Sequence, residues 1–379
     1  VLRFIRKIFV FILIIYVALF GLTKAIRYPE PIAAIKLGLA PASKTPDLMP
    51  AHTIVAAATP VLWKTANEAM PATVNFEGKS ISFDEFLAST HTNAFLVIRD
   101  GVITYEKYLN GMGTQTRLPS YSVAKTMTSL MIGKLIDDGQ LKESDTFVSI
   151  LPAFKAGTSF DKVTVRDLLD MKAGVGVSDN YPTGPSGWGV AIAQMYASTD
   201  VDWFIMHNRK MRETPGAFAE YRSVDTQMLG MIIKKITGKS LVDYFSENFW
   251  QKVGAAHVAT WNVDRIGGTE KAFCCFNATA RDYALVGAAL IQPTSPIISS
   301  AWLARISTPS VVLDYGWGYG AQVWHPYPGI NLMLGLHGQF VWMDLANKTV
   351  IVKLSDEPTS SDGRSERVAP VLKLISEQN

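Results

Sequence analysis

A serine and a lysine three residues apart open the apolar segment Leu118-Pro-Ser-Tyr-Ser-Val-Ala-Lys-Thr-Met-Thr-Ser-Leu-Met-Ile-Gly-Lys-Leu-Ile-Asp-Asp-Gly139. Pro119 and Ser120 end an extended approach, Val123 to Ile136 is apolar on most faces, and Gly139 is a helix stop. The pattern predicts a short, largely buried helix with Ser122 in its first turn. Residues i and i+3 share one helix face, so the Ser122 hydroxyl and the Lys125 amine come within hydrogen-bond reach. Burial and the positive end of the helix dipole both disfavour an ammonium there, which predicts a Lys125 pKa displaced towards neutrality, as a base requires. Backbone N–H groups at the same helix end face any negative charge that develops on a substrate oxygen. Ser159-Phe-Asp-Lys162 repeats the spacing, but in a polar run between Gly157 and Val163-Thr-Val165 with no buried helix behind it. Ser122 is therefore the candidate nucleophile.

Two later stretches belong with it. Gly216 to Gly238 carries Tyr221-Arg-Ser223 ahead of an apolar helix pattern, and Gly335-Leu-His-Gly-Gln339 leads into the strand pattern Phe340-Val-Trp-Met343. A phenol beside a serine can take the serine proton and return it to a leaving group. With Ser122-Val-Ala-Lys125, these segments resemble the three-motif pattern of serine β-lactamases and penicillin-binding proteins, and most of all class C β-lactamase-like esterases and 6-aminohexanoate-dimer hydrolases. The resemblance runs from about Asn93 to Leu354.

That resemblance implies an α/β (α+β) fold, an antiparallel sheet flanked by helices with an inserted, mostly helical domain. Residues 76–145 and 291–379 would form the sheet domain and 146–290 the helical one. It implies acyl transfer: Ser122 as nucleophile, Lys125 and Tyr221 as proton-transfer groups, and the backbone N–H groups of Ser122 and Gln339 as the oxyanion hole. Leu336, His337 and Gly338 stand where the β-lactam enzymes carry Lys-Thr-Gly, and Ser223 stands where asparagine is common. Asp179, Tyr181 and Trp188, in a glycine-rich loop at the cleft mouth, are candidate substrate contacts. The expected substrate is a small ester, amide or β-lactam-like molecule, with no metal or cofactor. A β-lactamase or D-alanyl-D-alanine peptidase, or a silent binding protein of the same fold, is the alternative. The leucine at 336, in place of a lysine, favours uncharged substrates.

The chain has 379 residues, 48% hydrophobic and 18% charged, enough for a sizeable core. Its net charge of +3 is misleading, because Arg3, Arg6, Lys7, Lys24 and Arg27 leave 31 cations against 33 acids in the remainder. This excludes a basic nucleic-acid footprint. Ile8 to Leu22 is an uncharged apolar run after that basic start, the pattern of a signal peptide or membrane anchor. It is shorter than the ~20 residues of a spanning helix, but Gly21 to Arg27 offers no small-x-small cleavage site. The expectation is an anchor over residues 1–28 with the catalytic part exported, periplasmic and tethered to the inner membrane. Residues 29–75, with seven prolines among alanines, read as a stalk or a surface strap. Asp100-Gly101 between Ala94–Arg99 and Val102–Lys107 is a hairpin signal. Cys274 and Cys275, the only cysteines and adjacent, are expected as packing residues without a disulfide.

Overall fold

The computed structural model describes residues 2–179, 191–358 and 364–378. The N-terminal apolar run lies within α1 (Leu2–Ala25), a helix with no buried residue. Helix α2 (Pro31–Leu39) follows, with proline in its first turn and Glu30 accepting the Ile32 and Ala33 N–H groups as its cap. The proline-rich segment, termed the strap, contributes strands to two sheets. Its 3-10 turn, Ala42–Leu48, leads into β1 (Ala51–Ile54) and β2 (Lys64–Thr65), each at the edge of a sheet, where a missing proline N–H costs no ladder bond.

A small ribbon of β3 (Thr73–Phe76) and β4 (Lys79–Ser82) precedes α3 (Phe83–Ser89), which Ser82 caps. The Asp100-Gly101 turn joins β5 (Thr92–Arg99) to β6 (Val102–Tyr108), and both turn residues take positive φ, 45° and 79°, as a type I′ hairpin demands. Next come β7 (Leu118–Pro119) and the buried helix α4 (Val123–Asp137). A largely helical stretch follows: α5 (Phe147–Ile150), α6 (Val165–Leu169), α7 (Ala191–Ala197), α8 (Val201–His207), α9 (Ser223–Thr237) and α10 (Leu241–Phe245). Strands β8 (Ala259–Asn262) and β9 (Phe276–Ala278) precede α11 (Ala280–Leu290) and α12 (Ser300–Ile306). The chain ends with β10 (Val311–Val312), β11 (Gly318–Gly320), β12 (Val323–His325), β13 (Ile330–Gly335), β14 (Gln339–Asp344), β15 (Thr349–Ser355) and α13 (Arg364–Ser376).

Among the described residues, nine strands make the main sheet in the order β10-β11-β12-β13-β14-β15-β5-β6-β2, antiparallel except for the β2–β6 edge. The early hairpin and the late strands meet at β5 and β15, with Val97 opposite Ile351. Every residue of β14 and β15 is buried, because both faces are covered. Val341 and Met343 point into the core beneath α4, α9 and α11, while Phe340 and Trp342 join a second core closed by α3 and α13. The period-2 pattern thus sorts residues between two cores rather than between core and water. A second, four-stranded sheet in the order β1-β8-β9-β7 delivers the chain to Ser122.

Candidate active site

The site is built where β7 ends. Ser120, fully buried, donates its N–H to the Phe276 carbonyl (2.7 Å), and its hydroxyl accepts the Phe276 N–H (3.1 Å). Tyr121 then adopts φ 42°, a left-handed conformation that is strained for a residue with a bulky side chain. Its surroundings hold it there. Its hydroxyl lies 3.3 Å from Thr45 Oγ1 of the strap, and its ring lies against Tyr196 and, at 4.7 Å, His337. This kink sets Ser122 at the N-cap of α4, one position before the expected first turn. The Ser122 N–H finds no backbone acceptor among the described residues.

Lys125 Nζ donates to Ser122 Oγ at 2.8 Å and to the Phe273 carbonyl at 3.1 Å. The amine is almost completely buried, and burial lowers its pKa to about 8 while the Asp179 carboxylate works in the opposite direction. A neutral amine at that distance can equally accept the serine proton. Tyr221, just before α9, lies with its hydroxyl near the Ser122 side chain, and the Lys125 ammonium position is 4.9 Å from its ring centre. Its ring stacks on Trp324 (5.4 Å) and meets Tyr319 edge-on (6.0 Å). Burial, then Asp179, pushes the Tyr221 phenol well above its ordinary value, against the lowering effect of Ser122, so it holds its proton at neutral pH.

Asp179 does not stand free at the cleft mouth: it accepts from the Ser223 N–H (2.7 Å) and hydroxyl (2.5 Å), which ties the loop to the start of α9. Burial raises its carboxyl pKa, against the pull of Lys125 and Ser223. Arg222 is fully buried, and its Nη2 donates to Glu220 at 2.7 Å while Nε and Nη1 have no hydrogen-bond partner among the described residues. Tyr181 and Trp188 lie outside the described residues. Ser159 sits in a separate 3-10 turn, Ser159–Lys162.

The β13–β14 hairpin closes the other side. A Cβ on Gly335 would stand 2.3 Å from the Ser120 carbonyl oxygen and 3.1 Å from the Ser122 nitrogen, so only glycine lets the strand approach Ser122 this closely. Gln339 is the cross-strand partner of Gly335, and its side-chain amide donates to the His337 and Ser355 carbonyls. His337, at φ 64°, places Nδ1 2.6 Å from the Glu357 carbonyl, and burial lowers its pKa, so it braces Tyr121 as a neutral ring. Gly338 takes φ 77°, a left-handed conformation that favours glycine, beside the Glu357 side chain. Leu336 remains 46% exposed at the turn.

The cysteine pair departs from expectation. Cys274 and Cys275 are joined in a disulfide with Cα atoms 3.7 Å apart, and Cys275 takes φ 72°, a left-handed turn that brings the neighbouring side chains together. The pair directly follows Phe273, whose carbonyl holds Lys125. Neither that carbonyl, nor the Tyr121 turn, nor the Trp324 wall carries a sequence signal. Each depends on residues brought together from distant segments.

Residues 83–373 match the Beta-lactamase family model, and the chain belongs to this family of serine hydrolases, which includes amidohydrolases and esterases. Among its relatives is the 6-aminohexanoate-dimer hydrolase of Paenarthrobacter ureafaciens, 28% identical over 302 residues that cover 73% of this chain and 75% of that protein. A proposed 6-aminohexanoate-dimer hydrolase from Bacillus anthracis superposes with a TM-score of 0.79 at 23% identity, over 92% of this chain and 94% of that one. A D-stereospecific amidohydrolase from Streptomyces sp. gives 0.57 at 17% identity, over 76% and 95% of the two chains.

Proposed function

We propose that the protein hydrolyses uncharged linear amides or esters through an acyl-enzyme on Ser122. The observation that carries this reading is the 2.8 Å contact between Ser122 Oγ and a buried amine whose pKa is lowered to about 8. Neutral Lys125 takes the Ser122 proton as Oγ bonds to the carbonyl carbon, and the oxyanion is held by the Ser122 N–H and a second N–H from the Gly335–Gln339 turn. The carbonyl re-forms as the leaving amine or alcohol departs with a proton passed through Tyr221. Water then attacks the acyl group, giving up its proton to the same pair, and Ser122 is restored.

Charge around the site favours uncharged acyl groups. Leu336 occupies the position of the carboxylate-binding lysine. Arg222 and Glu220 offset one another, His337 is neutral, and Asp179 and Asp314 are the acids that act on Lys125 and Tyr221. The Paenarthrobacter relative is named as a hydrolase of the 6-aminohexanoate dimer. Helix α1 is long and apolar enough to cross a membrane, and we assign it as the anchor of an exported catalytic unit.

Intact mass after incubation with a serine-reactive phosphonate tests nucleophile and site together. One adduct is expected in the wild type and in Ser159→Ala, and none in Ser122→Ala. Labelling that persists in Ser122→Ala sinks the assignment.

A further inference from the structure

The apolar part of α1, Ile8 to Leu22, is only 15 residues, about 22 Å of helix at 1.5 Å per residue, against a hydrocarbon core of ~30 Å. A span this short keeps whatever is attached to its end close to the lipid. Attached to it is α2, held alongside by the Tyr16 hydroxyl, which donates to Glu30 at 2.8 Å. Leu37 of α2 is buried towards the body of the protein, whereas Ile32, Ile35 and Leu39, which share one face at helical spacing, are exposed with Lys36 beside them.

A loop from the body reaches the same place. The Arg27 carbonyl at the end of α1 accepts the Thr199 N–H (2.8 Å), and the Thr199 carbonyl accepts from Arg265 (3.2 Å). Next to Arg265 is Ile266, 93% exposed at a loop tip. An isoleucine so exposed, an unpartnered apolar helix face and four cations (Lys24, Arg27, Lys36, Arg265) are grouped around the exit of an apolar helix. Arg265 is paired with Asp264 (3.1 Å) and Asp200 (3.6 Å) and Glu30 is engaged by Tyr16, which leaves Lys24, Arg27 and Lys36 as the cations of the rim. Apolar side chains with a cationic rim are the chemistry of a bilayer interface.

We infer that the outer face of α2 and the Ile266 loop insert into the interface of a phospholipid bilayer, seating the catalytic unit flush on the membrane. The inference rests on reading α1 as a membrane helix. In this arrangement Ile32, Ile35, Leu39 and Ile266 lie below the headgroups and Lys24, Arg27 and Lys36 lie among them. The body has one fixed orientation towards the lipid.

Depth measurement on the full chain tests this. Single nitroxide labels are placed through Ile35→Cys, Leu39→Cys and Ile266→Cys. Ile14→Cys in α1 is the membrane control and Leu62→Cys, 87% exposed on the strap, the aqueous control. The native cysteines are bonded to each other and take no label. The protein is reconstituted in nanodiscs of phosphatidylcholine and phosphatidylglycerol, and collision with oxygen is compared with collision with a water-soluble nickel chelate. The expected result is oxygen-favoured relaxation at positions 35, 39, 266 and 14 and nickel-favoured relaxation at 62. If 35 and 266 match 62 while 14 stays oxygen-favoured, the anchor stands and the seated face is overturned. An aqueous Ile14 label overturns both. Spin–spin broadening at 266 assigns the loop to a contact between two copies and also overturns the proposal.

Discussion

Lys125 gives the rate a defined dependence on pH. With a pKa of about 8, the neutral fraction is about one-tenth at pH 7 and about nine-tenths at pH 9, so kcat/KM rises roughly tenfold over that interval and then levels off. A lysine left at its ordinary value, about 10.4, gives a rise of about a hundredfold over the same interval and no plateau before pH 10. The cause can be tested separately from the value. Asp179 raises the Lys125 pKa against the effect of burial, so Asp179→Asn moves the acid limb to lower pH. The assay is the initial rate with a neutral nitrophenyl ester well below KM, from pH 6 to 10, read at the nitrophenol isosbestic wavelength and corrected for spontaneous hydrolysis. A profile flat from pH 6 to 9, or one climbing unbroken to pH 10, refutes Lys125 as the base. A limb moved to higher pH in Asp179→Asn refutes the electrostatic account.

Gly335→Ala puts a methyl group 2.3 Å from the Ser120 carbonyl; the strand must retreat, and turnover is expected to fall about a hundredfold, as for a displacement near 1 Å at a reacting centre, with the fold retained by circular dichroism. Unchanged turnover would show that the hairpin contact has no part in positioning Ser122. Lys125→Met and Tyr221→Phe are each expected to lose several powers of ten in kcat, and the double variant little more, because groups acting as one unit are non-additive; losses that multiply would separate their roles. Leu336→Lys is expected to improve cephalosporin hydrolysis relative to a neutral ester by about one to two powers of ten, the value of a charged hydrogen bond of roughly 1.5–3 kcal/mol. Efficient cephalosporin turnover by the wild type would reverse the substrate assignment.

The features legible in the sequence are those set by local spacing. Ser122 and Lys125 lie on one helix face because they are three residues apart, and the Asp100-Gly101 turn requires positive φ at both positions. The Ser223–Asp179 bonds span 44 residues and the Phe273–Lys125 bond 148, so nothing local announces either. The cysteine pair was misread for a related reason. Adjacency argues against a disulfide in extended or helical backbone, and only the left-handed turn at Cys275 removes that objection. The N-terminal prolines left a stalk and a strap open, and nothing local announces the pairing of β1 with β8.

The strap is fastened from both ends of the chain. Ser43 donates its N–H and hydroxyl to Asp356 (2.6 and 2.7 Å), Asn262 donates to the Pro46 carbonyl (2.9 Å), and Thr45 meets the Tyr121 hydroxyl. In a chain made from its N-terminus, Ser122 and Lys125 can share a helix early, yet the backing of the Tyr121 turn is complete only when residue 356 has arrived. Contacts of such sequence separation form late, because the loops they close must be ordered first. Hydrolytic activity is therefore expected to appear late in folding: a chain truncated before Thr349 lacks both β15 and the clasp at Asp356, and is expected to be inert. The turn that positions Ser122 is backed only once residue 356 has been made.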